Sequence, residues 1–104
     1  MFACKKDTNY EIYYEVEIQP ADYTKSYEAK IFYMNTKNKL ESVSLTTSNW
    51  NHSHFAYSGD YSQVEVHGIQ NVGLINIFVT VNGKKHFNTC NELNCWTEVK
   101  VNLN

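Results

Sequence analysis

The chain has 104 residues, 42% hydrophobic and 19% charged, which fits one globular domain with a modest core and leaves no room for a second. Its formal net charge of −2 carries no basic stripe, so a nucleic-acid backbone is disfavoured as a partner. No apolar run approaches the roughly 18 residues that a membrane-crossing helix needs.

In chain order, Met1-Phe2-Ala3-Cys4-Lys5-Lys6-Asp7 comes first. A cysteine after a small residue and two apolar ones, followed by a polar segment, resembles the lipobox of bacterial lipoproteins. That resemblance implies that Cys4 carries a lipid and tethers the rest of the chain to the cell envelope, in the periplasm or at the outer membrane. Residues 1–8 then form a lipobox remnant and flexible tether, and residues 9–104 a single extracytoplasmic domain. The alternative is an ordinary thiol near the terminus. With Cys90 and Cys95 close enough to pair, an odd cysteine left over in an exported protein calls for an explanation, which acylation of Cys4 supplies.

From residue 10 onward the dominant period is two. Tyr10, Ile12, Tyr14, Val16 and Ile18 fall on one face, with Glu11, Tyr13, Glu15 and Glu17 on the other, the pattern of a long half-buried strand. Pro20 ends it. Residues 27–35 alternate again, and Asn35-Thr36-Lys37-Asn38 predicts a turn into a hairpin partner over residues 40–47. Residues 50–57 are more polar, although Trp50, Phe55 and Tyr57 favour a strand. Ser58-Gly59-Asp60 turns the chain into residues 61–67, where Val64 and Val66 face inward.

Residues 74–81 form the most apolar strand, with Ile75, Ile77, Val79 and Val81 on one side and Phe78 on the other; it is expected near the centre of a sheet. Asn82-Gly83 is the type I′ hairpin signal and leads into residues 84–88. A last strand over residues 96–103 turns Thr97, Val99, Val101 and Leu103 to one side. Seven to eight strands with turns roughly every 8–12 residues favour an all-β, antiparallel, immunoglobulin-like β-sandwich, with a closed barrel as the alternative. Tyr14-Glu15-Val16, Thr46-Thr47 with Trp50, Gly59-Asp60 and Val79-Thr80-Val81-Asn82-Gly83-Lys84 look like the small β-sandwich domains of bacterial MmpS-like membrane-transport accessory proteins and related secreted lipoproteins. The likeness covers most of the chain from about residue 10. It implies a non-catalytic accessory or binding role and transfers no catalytic residues.

Cys90 and Cys95 bracket Asn91-Glu92-Leu93-Asn94. Four intervening residues suit a disulfide at a hairpin tip, which would place the chain in an oxidising compartment; reduced thiols and a metal half-site are the alternatives. His52 and His54, two apart in a strand, point the same way. They could hold zinc or copper if His67, His86 or Asp60 converged, but two solvated histidines on an edge strand are the simpler expectation. No nucleophile elbow frames a serine, and Glu11, Glu15 and Glu17 read as a solvated face rather than a carboxylate pair across a cleft. No catalytic residue and no cofactor is expected.

The remaining lead is aromatic. Tyr13, Phe32, Trp50 and Trp96 are expected on or near the faces opposite the core, where they either pack under loops or, with Tyr13, Trp50 and Trp96 foremost, contact a carbohydrate or protein ligand. The function expected is a non-enzymatic binding or transport-accessory module. The alternative is an inhibitor or immunity-type protein that blocks a partner through a rigid cysteine loop around Glu92.

Overall fold

The strand periodicity is realised in a computed structural model that describes residues 9–103. The lipobox, Cys4 and the tether lie outside the described residues. Eight strands follow in chain order: β1 (Asn9–Pro20), β2 (Glu28–Met34), β3 (Leu40–Leu45), β4 (Asn49–Tyr57), β5 (Tyr61–Gln70), β6 (Val72–Val81), β7 (Lys84–Cys90) and β8 (Trp96–Asn102). They form two four-stranded antiparallel sheets with orders β4-β1-β6-β7 and β3-β2-β5-β8. The fold is all-β, with no helix among the described residues.

Only β2–β3 and β6–β7 are hairpins within one sheet; every other connection carries the chain across to the opposite layer. Both hairpins are those the turn residues predict. At β6–β7, Asn82 and Gly83 adopt φ 47° and 84°, the left-handed pair that a type I′ turn demands and that matches the sheet's right-handed twist. At β2–β3, Asn38 takes φ 59°, and the Asn35 side chain accepts hydrogen bonds from the Lys37 and Lys39 amides at 2.9 and 3.0 Å.

The inward residues of both layers make one core. Ile12, Tyr14, Val16 and Ile18 of β1 meet Ala29 and Ile31 of β2, Val64 and Val66 of β5, and Ile75, Ile77 and Val79 of β6, all at most 1% exposed. Each such aliphatic side chain contributes about 1.5–3 kcal/mol by leaving water. The most apolar strand, β6, is central between β1 and β7, as its sequence predicts. The central strands β1, β6, β2 and β5 have a paired neighbour on each side, and the more polar β3, β4, β7 and β8 take the four edges.

Two asparagines in left-handed conformation fasten the loops at one corner. Asn71 (φ 57°) donates its amide to the carbonyls of Asp22, Lys25 and Ser26 and accepts from the Asp22 N–H at 2.9 Å. Asn94 (φ 50°) accepts from the Val72 N–H at 3.0 Å and returns its own N–H to the Val72 carbonyl at 2.7 Å. Asn94 lies between Cys90 and Cys95, which are joined as a disulfide with Cα atoms 6.5 Å apart. The cysteine loop is therefore tied to the body of the sandwich at its base, while Leu93 at its tip is 66% exposed.

Candidate functional site

The outer face of the β4-β1-β6-β7 sheet gathers most of the exposed rings. Because side chains alternate, the buried Ile12, Tyr14 and Val16 turn Glu11, Tyr13, Glu15 and Glu17 outward. The registers then place Ser53, Tyr13, Thr80 and Lys85 in one row across the four strands, and Asn51, Glu15, Phe78 and Phe87 in the next. Phe55 stands opposite Glu11, and Tyr57 follows it two residues along β4. Phe87, Phe55, Tyr57 and Tyr13 are 70%, 56%, 46% and 38% exposed. Phe78 packs its ring 6.4 Å from that of Phe87, and the Lys85 ammonium rides 4.9 Å above it.

This face closes into a cavity of about 680 Å³ at one edge, lined by Glu11, Ile12 and Tyr13 of β1, Thr36 of the β2–β3 turn, and Ser53, His54, Phe55 and Tyr57 of β4. The β6–β7 turn fixes the Glu11 backbone there. Asn82 accepts the Glu11 N–H on its side-chain oxygen at 2.8 Å and donates its own N–H to the Glu11 carbonyl at 2.9 Å.

His52 and His54 do point the same way, but the solvated placement is corrected. Their register opposite Tyr14 and Ile12 turns them inward, and both are half-buried. The rings lie 5.4 Å apart. His52 stacks on Tyr14 and lies 4.8 Å from Tyr33, while His54 lies 5.3 Å from Tyr14. His52 Nε2 and His54 Nδ1 are buried without a hydrogen-bond partner among the described residues. Burial, reinforced by the neighbouring His52, pushes the His54 imidazole toward lower affinity for a proton.

The third ligands that a metal would need are dispersed. His86 sits on β7, three strands from β4 and therefore about 14 Å away. His67 is on the other sheet, against Glu65, and Asp60 accepts from the Tyr57 N–H in the β4–β5 turn. No group of three metal-ligating side chains converges among the described residues.

The three foremost aromatic candidates are not brought together. Tyr13 belongs to the face just described. Trp50 faces inward rather than away from the core: its ring is 5.1 Å from Tyr33 and packs against the central cluster. Trp96, 62% exposed, lies on the outer face of the β3-β2-β5-β8 sheet, where it and Phe32 flank His67 at 5.7 and 5.3 Å. Beside them, Gln63 donates to both Glu65 and Glu98, which oppose each other across β5 and β8. Phe55, Tyr57 and Phe87 are the site rings that sequence reasoning missed. The parity of Phe78, outward in a strand whose inner face is unambiguous, was the signal that Phe87, opposite it across the Asn82-Gly83 hairpin, would join it.

No protein-family model matches the chain, and no curated protein matches it.

Proposed function

We propose that this protein is a non-enzymatic, extracytoplasmic binding module that takes carbohydrate on the outer face of the β4-β1-β6-β7 sheet. The observation that carries the reading is the exposure of Tyr13, Phe55, Tyr57 and Phe87 among carboxylates and amides on one rigid surface. A pyranose ring has an apolar C–H face that stacks on an aromatic ring and a rim of hydroxyls. Glu15, Asn51 and Asn76 supply acceptors and donors of the kind that rim needs. Large exposed rings on an otherwise polar surface mark interaction sites.

In this reading a lipid on Cys4 holds the module at a bacterial envelope membrane, and the Cys90–Cys95 disulfide suits the oxidising compartment outside the cytoplasm. The MmpS-like resemblance is accommodated as a transport-accessory role in which the bound chain is the cargo. Affinity electrophoresis through envelope polysaccharides, followed by a glycan array, tests the binding. Retardation should disappear in Phe87→Ala and Phe55→Ala, whose exposed side chains leave the core intact; unretarded wild type sinks the reading. Intact mass from the native host tests the anchor, since acyl chains on Cys4 add mass and an unmodified chain rejects them.

A second reading has one observation in its favour. Leu93 projects beside Glu92 from a loop tied down by a disulfide and by Asn94, the form of a blocking loop in an inhibitor or immunity-type protein. Copurification of a protein that Leu93→Asp releases, with no retention by polysaccharide, favours it over the first.

A further inference from the structure

The cavity beside Glu11 lies on a face whose charge is mostly negative. Of the ionisable groups that the registers place on that face, Glu11, Glu15 and Glu17 are carboxylates in a line along β1, and Lys85 is the single ammonium, two strands away. Such a field attracts cations. The Glu11 carboxylate has no hydrogen bond or ion pair among the described residues; its backbone alone is engaged, by Asn82. It shares the cavity with three rings, Tyr13, Phe55 and Tyr57, and with the hydroxyls of Thr36 and Ser53. Aromatic faces carry negative quadrupole charge and attract ammonium groups. The one basic side chain in the lining, His54, is half-buried with an unsatisfied ring nitrogen among the described residues, so it adds no settled positive charge to oppose a cation.

We infer that this cavity receives the ammonium group of a cationic amino sugar, with Glu11 as its counter-ion and Tyr13, Phe55 and Tyr57 around it, while the open face beyond takes the neighbouring sugar rings. The inference rests on the carbohydrate-binding reading and names the class of sugar. A neutral sugar would leave the Glu11 carboxylate unmatched and would gain nothing from the acidic line along β1. A polyanion would meet three carboxylates. Lys85 does not change the balance, since its ammonium lies over the Phe78 ring.

The test compares a glucosamine tetramer with its fully N-acetylated counterpart by titration calorimetry, at roughly pH 6 where the amines are protonated. Acetylation removes the charge and keeps the rings. The amine form should bind about tenfold more tightly, Glu11→Gln should erase that preference, and Glu17→Gln, on the same face but outside the cavity, should keep most of it. Tetramethylammonium, followed by NMR shifts of Tyr13, Phe55 and Tyr57, reads the cavity without any sugar. Equal binding of the two tetramers overturns the inference and leaves the carbohydrate reading standing. Shifts with tetramethylammonium but no binding of either tetramer sink the carbohydrate reading and keep the ammonium cavity. A preference lost as fully in Glu17→Gln as in Glu11→Gln assigns it to the general field and overturns the role of the cavity, and silence with all three probes overturns both.

Discussion

Tyr14 spans the two layers of the sandwich: rooted in β1, it donates its hydroxyl hydrogen to the carbonyl of Met34 at the end of β2, at 2.9 Å. The same oxygen accepts the Gln63 N–H of β5 at 3.4 Å. The side chain is 0% exposed, and burial pushes its phenol well above the usual tyrosine range, so it stays a neutral donor throughout the stable pH range. A tyrosine in a core needs a partner for its polar tip; here that requirement fixes how far β1 slides over β2 and β5.

Replacing Tyr14 by Phe keeps the ring and removes the hydroxyl. The Met34 carbonyl and Gln63 N–H lose a partner inside the structure, and the expected loss is about 1–2 kcal/mol. A lowered urea midpoint with an unchanged slope checks it. A variant as stable as the wild type would show that water replaces the hydroxyl without cost.

Ser62 is the converse case. It lies on the inner face of β5, 0% exposed, with its hydroxyl oxygen unpartnered among the described residues. A buried hydroxyl without a hydrogen bond is a net cost. Ser62→Ala should therefore leave stability unchanged or raise it by up to about 1 kcal/mol, read as a higher midpoint in thermal unfolding. A clear loss would mean that the hydroxyl has a partner after all.

Strand existence was legible wherever one face was decisively apolar. In β1 and β6 the alternation is clean, and turn chemistry at Asn38, Asn82-Gly83 and Gly59 set the boundaries between strands. The strand order was not legible, because five of the seven connections cross between layers and nothing local says which edge the chain lands on. β4 shows why the site was only partly readable. Its alternate residues are Trp50, His52, His54 and Ala56 on one side and Asn51, Ser53, Phe55 and Tyr57 on the other, so neither face is plainly apolar. Register with Tyr14 and Ile12 decides the matter, and that is a tertiary choice. With it, Trp50 and both histidines turn inward, and the rings of Phe55 and Tyr57 turn out.

Gly68 is required by close approach rather than by its backbone angles. A Cβ there would stand 2.7 Å from the Asn94 Cα and 3.0 Å from its carbonyl carbon, at the point where the Gly68 N–H bonds the Cys95 carbonyl at 2.9 Å. Gly68→Ala should push the cysteine loop off β5 and cost roughly 2–3 kcal/mol. Gly59→Ala is the control: nothing lies within 4 Å of its Cβ, and only its φ of 92° is strained, for about 1 kcal/mol. Equal losses in the two variants would show that the loop yields easily and is not seated on β5.

The half-buried His54 gives the protein an acid sensitivity whose sign is set. Its proton affinity in the fold is held below the ordinary value of 6.5 by burial first and by His52 second. The unfolded chain therefore takes up a proton that the folded one resists as pH falls through 6.5, and stability contributed by the neutral ring is lost over that window. Around the ring, Tyr14 from β1 lies 5.3 Å away and Tyr33 from β2 stands beyond His52; burial holds both phenols above the usual tyrosine range, so they are uncharged there. Glu11 lines the same cavity, and burial with the neighbouring His52 sets the direction of the shift. Since the ring is only partly covered, the slope should fall well below the about 1.4 kcal/mol per pH unit of one fully coupled proton. Urea midpoints from neutral pH downward should drop more steeply in the wild type than in His54→Phe, which removes the titrating group and fills the same space. Parallel profiles for the two proteins would place the acid sensitivity in other groups and show that the His54 imidazole protonates without resistance from the fold.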